Sequence, residues 1–396
     1  MKGGYGFADR EWNIPNMPIA KFRLASVSKQ FTAACILQLT EKGKLHLDDK
    51  LNQFYPDFPK GDSVTIHMML NHTSGIPSFV MQPDFGSYER LSLSEDSMIN
   101  YFKNRPYNFT PGNKFQYNVS GYLLLACILE RVTGQSFEQY LRKNILEKLD
   151  MKNTGNDRLD SILPFRVKGY DKDKNASFES MEWPLGGGSL YSTVEDLYKW
   201  DRALYSTSIL SDASRQIMFS PGMSNYGCGI FIDSLFHHYR IHHGGATHGF
   251  SSNIARFPHE DICIIVLCNT ENKALMIADG LAAILFNQEY ELPEKYSSTS
   301  IDSMLVENFV GKYKLSEPVL YSSEIQLKRN GDRLFLNEPD IDLGDFPGLE
   351  FKPISDNIFV AEDFLMKLEF MISKNGNINQ AFLIDGGAKI EMKKIE

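Results

Sequence analysis

A short polar stretch, residues 291–300, separates two parts of the chain whose apolar residues follow different patterns. Before it, segments with helical spacing and short strand-like runs alternate irregularly, and after about residue 309 apolar and polar residues alternate as in strands. A chain of 396 residues is also long enough to bury two separate cores. We therefore predict a first domain over residues 1–290, a linker over 291–305 and a second domain over 306–396.

The second part has the pattern of strands joined by tight turns. Apolar and polar residues alternate on both sides of Asn330-Gly331, and a similar pattern flanks Asn375-Gly376. Asn-Gly pairs are favoured in two-residue hairpin turns. The last ~90 residues are therefore expected to be all-β.

The first part mixes helix and strand signals. Helices are predicted over residues 31–45, 122–132 and 273–286 and after Ser192 or Thr193, and paired strands over 253–257 and 261–268. Gly43 and Gly134 lie where the first two helices should end, and Ser192 and Glu195 have capping-box spacing. The predicted fold class is α+β, an antiparallel sheet flanked by helices, with an all-helical region between Lys42 and about Leu149.

Charge and hydropathy exclude several functions. The formal net charge is −9 and the basic residues are scattered, which argues against a nucleic-acid partner. The longest apolar run, Ile262–Cys268, is far shorter than the ~20 residues that span a bilayer, and we expect it to form a buried strand. The first six residues lack the apolar segment of a signal peptide.

The cysteines and the adjacent histidines show no metal-binding pattern. Because His242 and His243 are neighbours, they would point to opposite faces of a strand, and no third ligand is patterned nearby. We expect neither a metal nor a cofactor. The five cysteines, which lack CxxC spacing and are expected to be small buried hydrophobic residues, are Cys35, Cys127, Cys228, Cys263 and Cys268.

Ser26 and Lys29 are candidates for a nucleophile and its base. They lie three residues apart at a predicted helix start, hence on one face, and the helix dipole favours negative charge at Ser26. A serine hydroxyl needs a base to become a good nucleophile, and a partly desolvated lysine can lose its proton near neutral pH. This spacing also arises by chance, so a capping serine beside a solvated lysine is the alternative.

Three segments resemble class C β-lactamases and their esterase and peptidase relatives. Residues 22–33, which contain Ser26 and Lys29, resemble that family's nucleophile segment. Residues 69–77 resemble its characteristic loop, in which His72 would be a structural residue, and residues 186–197 resemble its later Gly-rich turn into a helix. The resemblance implies a β-lactamase/transpeptidase-like fold with Ser26 at the base of a cleft between the sheet and the helical region.

The family's second catalytic element is a tyrosine in a Tyr-x-Asn motif, and Tyr117 matches it. The resemblance implies that Tyr117 transfers protons together with Lys29. Val119 stands where the family has the asparagine that holds the substrate's amide side chain, although Asn118, a candidate for substrate binding, lies one position earlier. Because valine forms no such hydrogen bonds, efficient β-lactam hydrolysis is not expected.

The family's third element, Lys-Thr-Gly or His-x-Gly, matches His243-Gly244-Gly245. The resemblance implies that His243 is a catalytic residue that faces the site and that Gly244 and Gly245 let the substrate backbone approach closely. It also implies that the backbone N–H of Ala246 forms an oxyanion hole together with that of Ser26.

The predicted function is a serine hydrolase that acts through an acyl-enzyme on a small-molecule or peptide substrate, as an esterase or a D-amino-acid peptidase or amidase. The alternatives are a β-lactamase or DD-carboxypeptidase and a sensor that is acylated without turnover. The second domain resembles the lipocalin-like domain of some peptidases in this group, and the resemblance favours a periplasmic or cell-surface location. Relatives usually carry a helix and a strand before the segment at residues 4–9, so an exposed strand edge that favours association is expected.

Overall fold

The computed structural model describes residues 1–158, 160–271, 273–290, 296–319, 322–337, 348–361, 366–373, 378–385 and 388–395. The chain divides into two compact units, Met1–Ala278 and Asp279–Glu396. None of the helices in the described ranges is long and apolar enough to cross a membrane. The domain limits 1–290 and 306–396 stay predictions, and residues 291–295 of the predicted linker lie outside the described ranges.

The first unit contains a large sheet, a small sheet and two ribbons. Its strands are β1 (Phe7–Asp9), β2 (Ile14–Pro15), β3 (Phe22–Arg23), β4 (Gly155–Asn156), β5 (Tyr170–Asp171), β6 (Lys174–Asn175), β7 (Leu190–Ser192), β8 (Phe231–Leu235), β9 (His238–Thr247), β10 (Phe250–Phe257) and β11 (Ile262–Cys268). The large sheet has the antiparallel order β11-β10-β9-β8, and the small sheet has the order β3-β7-β4. Strands β1 and β2 form one ribbon, and β5 and β6 form the other.

The helices are α1 (Lys29–Glu41), α2 (Leu51–Phe54), α3 (Ile66–Leu70), α4 (Glu95–Lys103), α5 (Val119–Thr133), α6 (Phe137–Leu141), α7 (Val194–Ala203), α8 (Asp212–Met218), α9 (Ala274–Leu285) and α10 (Ser303–Glu307). Short 3₁₀ helices cover Ala25–Ser28, Phe79–Met81, Phe85–Ser87 and Met223–Asn225, and a π turn covers Arg142–Leu146. In residues 42–149, all of which are described, the regular elements are helices joined by turns and loops, apart from one isolated bridge between Lys50 and Thr65. This confirms the predicted all-helical region and the α+β class.

Helix α1 lies inside the main hydrophobic core. All of its residues from Lys29 to Leu39 are buried, as expected of a helix that is apolar on most sides. The Phe31 ring stacks on Trp200 with the ring centroids 4.4 Å apart. The buried amide oxygen of Gln30 accepts hydrogen bonds from Trp200 and Arg256. Helix α1 is therefore a firmly packed support for the residues at its start.

Helix α5 confirms the second predicted helix and its end. Gly134 has a φ of 66°, and its N–H donates to the Glu130 carbonyl at 2.8 Å. This left-handed C-terminal cap is a conformation that favours glycine. The helix starts at Val119, three residues before the predicted start at Tyr122.

Helix α7 confirms the third predicted helix, with a cap shifted by one residue. The Thr193 hydroxyl accepts the N–H of Asp196 at 3.3 Å. The Ser192 hydroxyl instead contacts the Thr154 hydroxyl at 2.7 Å. The capping box expected from Ser192 and Glu195 was therefore wrong by one position, because Ser192 still belongs to β7.

Strands β10 and β11 form the predicted hairpin, and α9 follows it as predicted. All eight residues of β10 are buried, whereas in β11, at the edge of the sheet, only Ile264 is buried. The prediction of a buried strand at Ile262–Cys268 was therefore wrong, because an apolar run does not show which strand ends a sheet. Cys263 and Cys268 are consequently half-buried, while the other three cysteines are buried as predicted.

The second unit contains a closed barrel of eight antiparallel strands. They are β12 (Gly311–Val319), β13 (Ser322–Asn330), β14 (Arg333–Asn337), β15 (Leu349–Ser355), β16 (Ile358–Ala361), β17 (Met366–Ile372), β18 (Ile378–Asp385) and β19 (Ala388–Lys394). The barrel closes because β12 pairs with both β13 and β19. The predicted all-β character of this part is confirmed.

The predicted turn at Asn330-Gly331 joins β13 to β14. Asn330 pairs with Arg333, and Gly331 has a φ of 62°, which suits glycine. The turn predicted at Asn375-Gly376 lies outside the described residues. The alternating apolar residues around the first turn are all buried in the barrel core: Ile325, Leu327, Leu334 and Leu336.

Candidate active site

Ser26 lies on a tight turn at the entrance of α1. The turn, Ala25–Ser28, is a 3₁₀ helix in which Ser26 is half-buried and the other residues are buried. Ala25 has a φ of 45°, a left-handed conformation that is unfavourable for a residue with a Cβ. The Ser28 hydroxyl accepts the N–H of Leu190 at 3.2 Å, which ties the turn to β7. The surrounding structure therefore holds a strained backbone at Ala25, directly before the half-buried Ser26.

Lys29 lies one helical turn after Ser26. Its Nζ is 3.0 Å from the Ser26 Oγ and donates to the Gly187 carbonyl at 2.8 Å. Gly187 belongs to the Gly-rich turn before β7, and a Cβ there would come within 3.7 Å of the Lys29 Nζ. The structure thus brings the serine, the lysine and this turn together.

Burial changes the chemistry of Lys29. The side chain is fully buried, and its desolvation lowers the pKa to about 7. No carboxylate contacts the Nζ within the described parts of the chain. The cation is stabilised by its hydrogen bond to the Gly187 carbonyl and by the rings of Tyr117 and Tyr122, at 4.8 and 5.4 Å, but none of these partners carries a negative charge. Near neutral pH a large fraction of Lys29 is therefore free amine, which can accept the Ser26 proton.

Tyr117 packs beside this amine and against His72. The ring centroids of Tyr117 and His72 are 4.4 Å apart. The His72 Nδ1 accepts the N–H of Asn118 at 3.1 Å, so the proton of the neutral ring is on Nε2. Burial, and then the charge of Lys29, keep the pKa of His72 well below its ordinary value. Tyr117 is therefore close to both an uncharged imidazole and the Lys29 amine.

His243, on β9, is held by two hydrogen bonds. Its Nδ1 is 2.5 Å from the Gly244 carbonyl and its Nε2 is 3.0 Å from the Tyr226 hydroxyl. Because a carbonyl can only accept, Nδ1 carries the proton and Nε2 accepts from Tyr226. Burial, and then Lys29, lower the pKa of His243 to about 3, so the ring is neutral. Its ring centroid is 6.1 Å from that of Tyr117, and its catalytic role stays a prediction.

Strand β9 passes directly against the Ser26 turn at Gly245. A Cβ on Gly245 would overlap the Leu24 carbonyl oxygen and lie 3.0 Å from the Ser26 backbone nitrogen, so only glycine fits. The corresponding position at Gly244 is open, with no neighbouring atom closer than 3.8 Å among the described residues. Ala246 follows and is exposed. Its pairing with Ser26 as an oxyanion hole stays a prediction.

The amide of Asn118 is used within the protein. Its Oδ1 accepts the N–H of Gly121 at 2.9 Å as the N-cap of α5, its Nδ2 donates to the Ile76 carbonyl, and the residue is buried. These bonds argue against the substrate contact predicted for Asn118. Val119 comes next and packs against the Gly187 turn.

Three residues that contact these side chains were not predicted as site residues. Gly187 accepts the Lys29 hydrogen bond, and His72 packs on Tyr117 although only a structural loop role was expected. Both lie in segments that the resemblance covered, so closer inspection of those segments could have named them. Tyr226, which bonds His243, lies in none of the three segments. No pattern in the sequence singles it out.

Comparison with known proteins gives a family match. A family model described as Beta-lactamase matches residues 1–287. The chain is 28% identical to Penicillin-binding protein 4* of Bacillus subtilis, over 94% of this chain and 87% of that protein.

Two solved structures extend the comparison. The penicillin binding protein from Bacillus halodurans is 29% identical, with a TM-score of 0.62 over 71% of this chain and 90% of that one. The D-stereospecific amidohydrolase from Streptomyces sp. is 25% identical, with a TM-score of 0.58 over 64% of this chain and 83% of that one.

Proposed function

This chain belongs to the beta-lactamase family, and from that premise we propose that it is a serine hydrolase whose Ser26 forms an acyl-enzyme with an ester or amide. One observation carries the proposal. The Lys29 Nζ lies 3.0 Å from the Ser26 Oγ, and its pKa of about 7 makes it a base near neutral pH.

The proposed reaction has two halves. Lys29 takes the Ser26 proton while Oγ bonds to the substrate carbonyl carbon, and the backbone N–H groups of Ser26 and Ala246 stabilise the oxyanion. Lys29 and Tyr117 then pass a proton to the leaving alcohol or amine as its bond to the carbonyl breaks. Water next attacks the acyl carbon of the Ser26 ester and gives one proton to Lys29. The bond between this carbon and Oγ then breaks, the acid leaves, and Lys29 returns the proton to Oγ.

An ester or a D-amino-acid peptide or amide is the proposed substrate. Similarity to the D-stereospecific amidohydrolase supports this class. Val119 provides no amide group, and the Asn118 amide is already bonded, so neither residue can hold the amide side chain of a β-lactam. The second candidate is a β-lactamase or DD-carboxypeptidase, and similarity to Penicillin-binding protein 4* supports a serine that reacts with penicillin.

Intact-mass spectrometry tests the acyl-enzyme. The full chain is treated separately with a fluorophosphonate, a p-nitrophenyl ester and penicillin, with Ser26→Ala as the control. We expect a single adduct on the parent protein with at least one reagent and none on the control. Failure of all three reagents would contradict the proposal, as would an adduct that persists on Ser26→Ala.

Steady-state turnover then separates the substrate classes. Short-chain esters, peptides ending in D-Ala, D-amino-acid amides and a chromogenic cephalosporin are compared. Hydrolysis of an ester or D-amide well above the cephalosporin supports the first candidate, whereas release of D-Ala as the main activity supports the second. A Ser26 adduct that never clears, without turnover of any substrate, would identify an acylated sensor.

A further inference from the structure

A second cleft in the first unit has a volume of about 260 Å³. It lies where β3, β7 and β10 meet the loop at residues 163–169. Ser26, Lys29 and Tyr117 are not among the described residues that line it. Part of its wall is apolar, formed by side chains such as Tyr191, Phe178 and Phe250.

The charged part of the wall is nearly neutralised by internal ion pairs. Four cationic residues line the cleft: Lys21, Arg23, Arg166 and Lys168. Arg23 and Arg166 both pair with the buried Asp157, each at 2.7 Å, and Arg23 also lies 3.6 Å from Glu179. Lys168 pairs with Glu11 at 2.7 Å. The two arginines are thus matched by two carboxylates, and Lys168 is matched by one.

Lys21 is the remaining cation. The residue is only 8% exposed, and its ammonium forms no hydrogen bond or ion pair within the described parts of the chain. The Tyr191 ring centroid lies 5.9 Å from its Nζ. The nearby Asp196 carboxylate forms its ion pair with Lys199, at 3.3 Å. Most of the Lys21 side chain is buried, while its ammonium is open to the cleft, where a bound anion would accept a hydrogen bond from it.

The backbone holds Lys21 in place. Its N–H donates to the Phe165 carbonyl at 2.8 Å, and its carbonyl accepts the N–H of Val167 at 3.1 Å. The loop at residues 163–169 is therefore fixed to Lys21 on one side of the cleft. These bonds fix the main chain from which the Lys21 side chain enters the cleft wall, so a ligand would not have to order this part of the backbone.

We propose that this cleft binds a small monoanionic carboxylate that carries an apolar group, with the carboxylate on Lys21 and the apolar group against Tyr191 and Phe178. One unmatched positive charge suits one negative charge, and a doubly charged phosphate would bring a second negative charge close to the carboxylates of Asp157 and Glu179. The apolar wall gains from burial of a hydrocarbon group.

This site is tested by titrating the full chain with sodium benzoate. Binding is measured by isothermal titration calorimetry and by saturation-transfer NMR. We expect saturable binding that weakens at least about tenfold in Lys21→Met, because a charge-assisted hydrogen bond is lost. Lys29→Met and Lys148→Met are matched controls, because neither lysine lines the cleft and Lys148 is exposed. Both should bind benzoate as the parent does.

Two further arms define the ligand class. Benzamide, which has the same ring without the charge, and inorganic phosphate should both bind at least about tenfold more weakly than benzoate. Phe178→Ala changes a side chain that is 46% exposed, so the fold should persist, and it should weaken benzoate but not acetate. This variant keeps the test decisive if Lys21→Met fails to fold.

The proposed site would be wrong if the parent protein does not bind benzoate. It would also be wrong if neither Lys21→Met nor Phe178→Ala changes the affinity for benzoate. Loss of binding in Lys29→Met would place benzoate at Ser26 instead. Phosphate that binds as tightly as benzoate, with the same dependence on Lys21, would overturn the assignment to a monoanionic carboxylate.

Discussion

Lys29 is buried beside Ser26, and its lowered pKa of about 7 gives the proposed acylation a defined pH dependence. Below pH 7 the amine is protonated and cannot take the Ser26 proton, so the rate should fall about tenfold per pH unit. Above pH 7 the rate should reach a plateau. The second-order rate of Ser26 acylation by p-nitrophenyl acetate, measured from pH 5 to 9, checks this.

The neighbouring histidine cannot produce the same profile, since the pKa of His243 is about 3 and its ring stays neutral across the whole range. Lys29→Met should lower the plateau rate by about 100- to 10,000-fold and abolish the step near pH 7. A parent rate that does not change with pH, or whose midpoint lies near 10, would show that Lys29 is not the base.

Gly245 and Gly244 give a matched pair of substitutions at the same site. Gly245→Ala should destabilise the fold by about 1–3 kcal/mol and slow Ser26 labelling by fluorophosphonate, because the new Cβ overlaps the Leu24 carbonyl beside Ser26. Gly244→Ala should leave the free energy of unfolding nearly unchanged, because its Cβ position is open. Chemical denaturation and labelling rates measure both. Equal loss of stability in the two variants would contradict this description of β9.

The sequence supported some residues of this site more strongly than others. The spacing of Ser26 and Lys29 at a helix start places two side chains on one face, but it fits a capping serine equally well, and it was the resemblance of residues 22–33 that favoured a nucleophile and its base. Tyr226 could not be predicted, since it meets His243 only after the segment before β8 folds against β9. The use of the Asn118 amide as a helix cap also depends on where α5 begins, which the apolar pattern placed three residues too late.

Helix α5 shows how one element positions the site. Asn118→Ala should cost about 1–2 kcal/mol of stability, because the N-cap bond to Gly121 and the bond to Ile76 are both lost. Ser136→Ala, which removes the N-cap of α6, is the control for a cap away from Ser26. Thermal melting and esterase kinetics should show lower stability in both variants and lower kcat only in Asn118→Ala. Unchanged stability with a raised KM in Asn118→Ala would instead indicate a substrate contact.

At the scale of elements, the spacing of apolar residues predicted whether a segment is a helix or a strand. It did not predict where each strand lies in the sheet. The runs that became β10 and β11 gave the correct hairpin. Their burial differs because β10 has a strand on each side and β11 has one. That difference comes from sheet order, which is decided by contacts between distant segments and not by local alternation.

For the whole molecule, the change in hydrophobic pattern near residue 300 predicted two parts of different class, and the structure has them. Closure of the barrel could not be predicted in the same way. It depends on β12 pairing with β19, about eighty positions away along the chain, and alternation is the same in an open and a closed sheet. Each unit also has its own core of buried residues.

Separate cores predict separate responses to mutation. Phe370 is fully buried in the barrel and stacks on Phe309 with the ring centroids 4.2 Å apart, so Phe370→Ala should destabilise the barrel by about 3–5 kcal/mol. Met371, next to it on β17, is 45% exposed, and Met371→Ala should have little effect on stability.

The residues around Ser26 belong to the other core. The rate of Ser26 labelling by fluorophosphonate, measured at about 20 °C, should therefore be the same in both variants. Calorimetry should show the loss in Phe370→Ala as an earlier transition that belongs to the barrel. A parallel loss of labelling in that variant would show that folding of the barrel and reactivity of Ser26 are coupled.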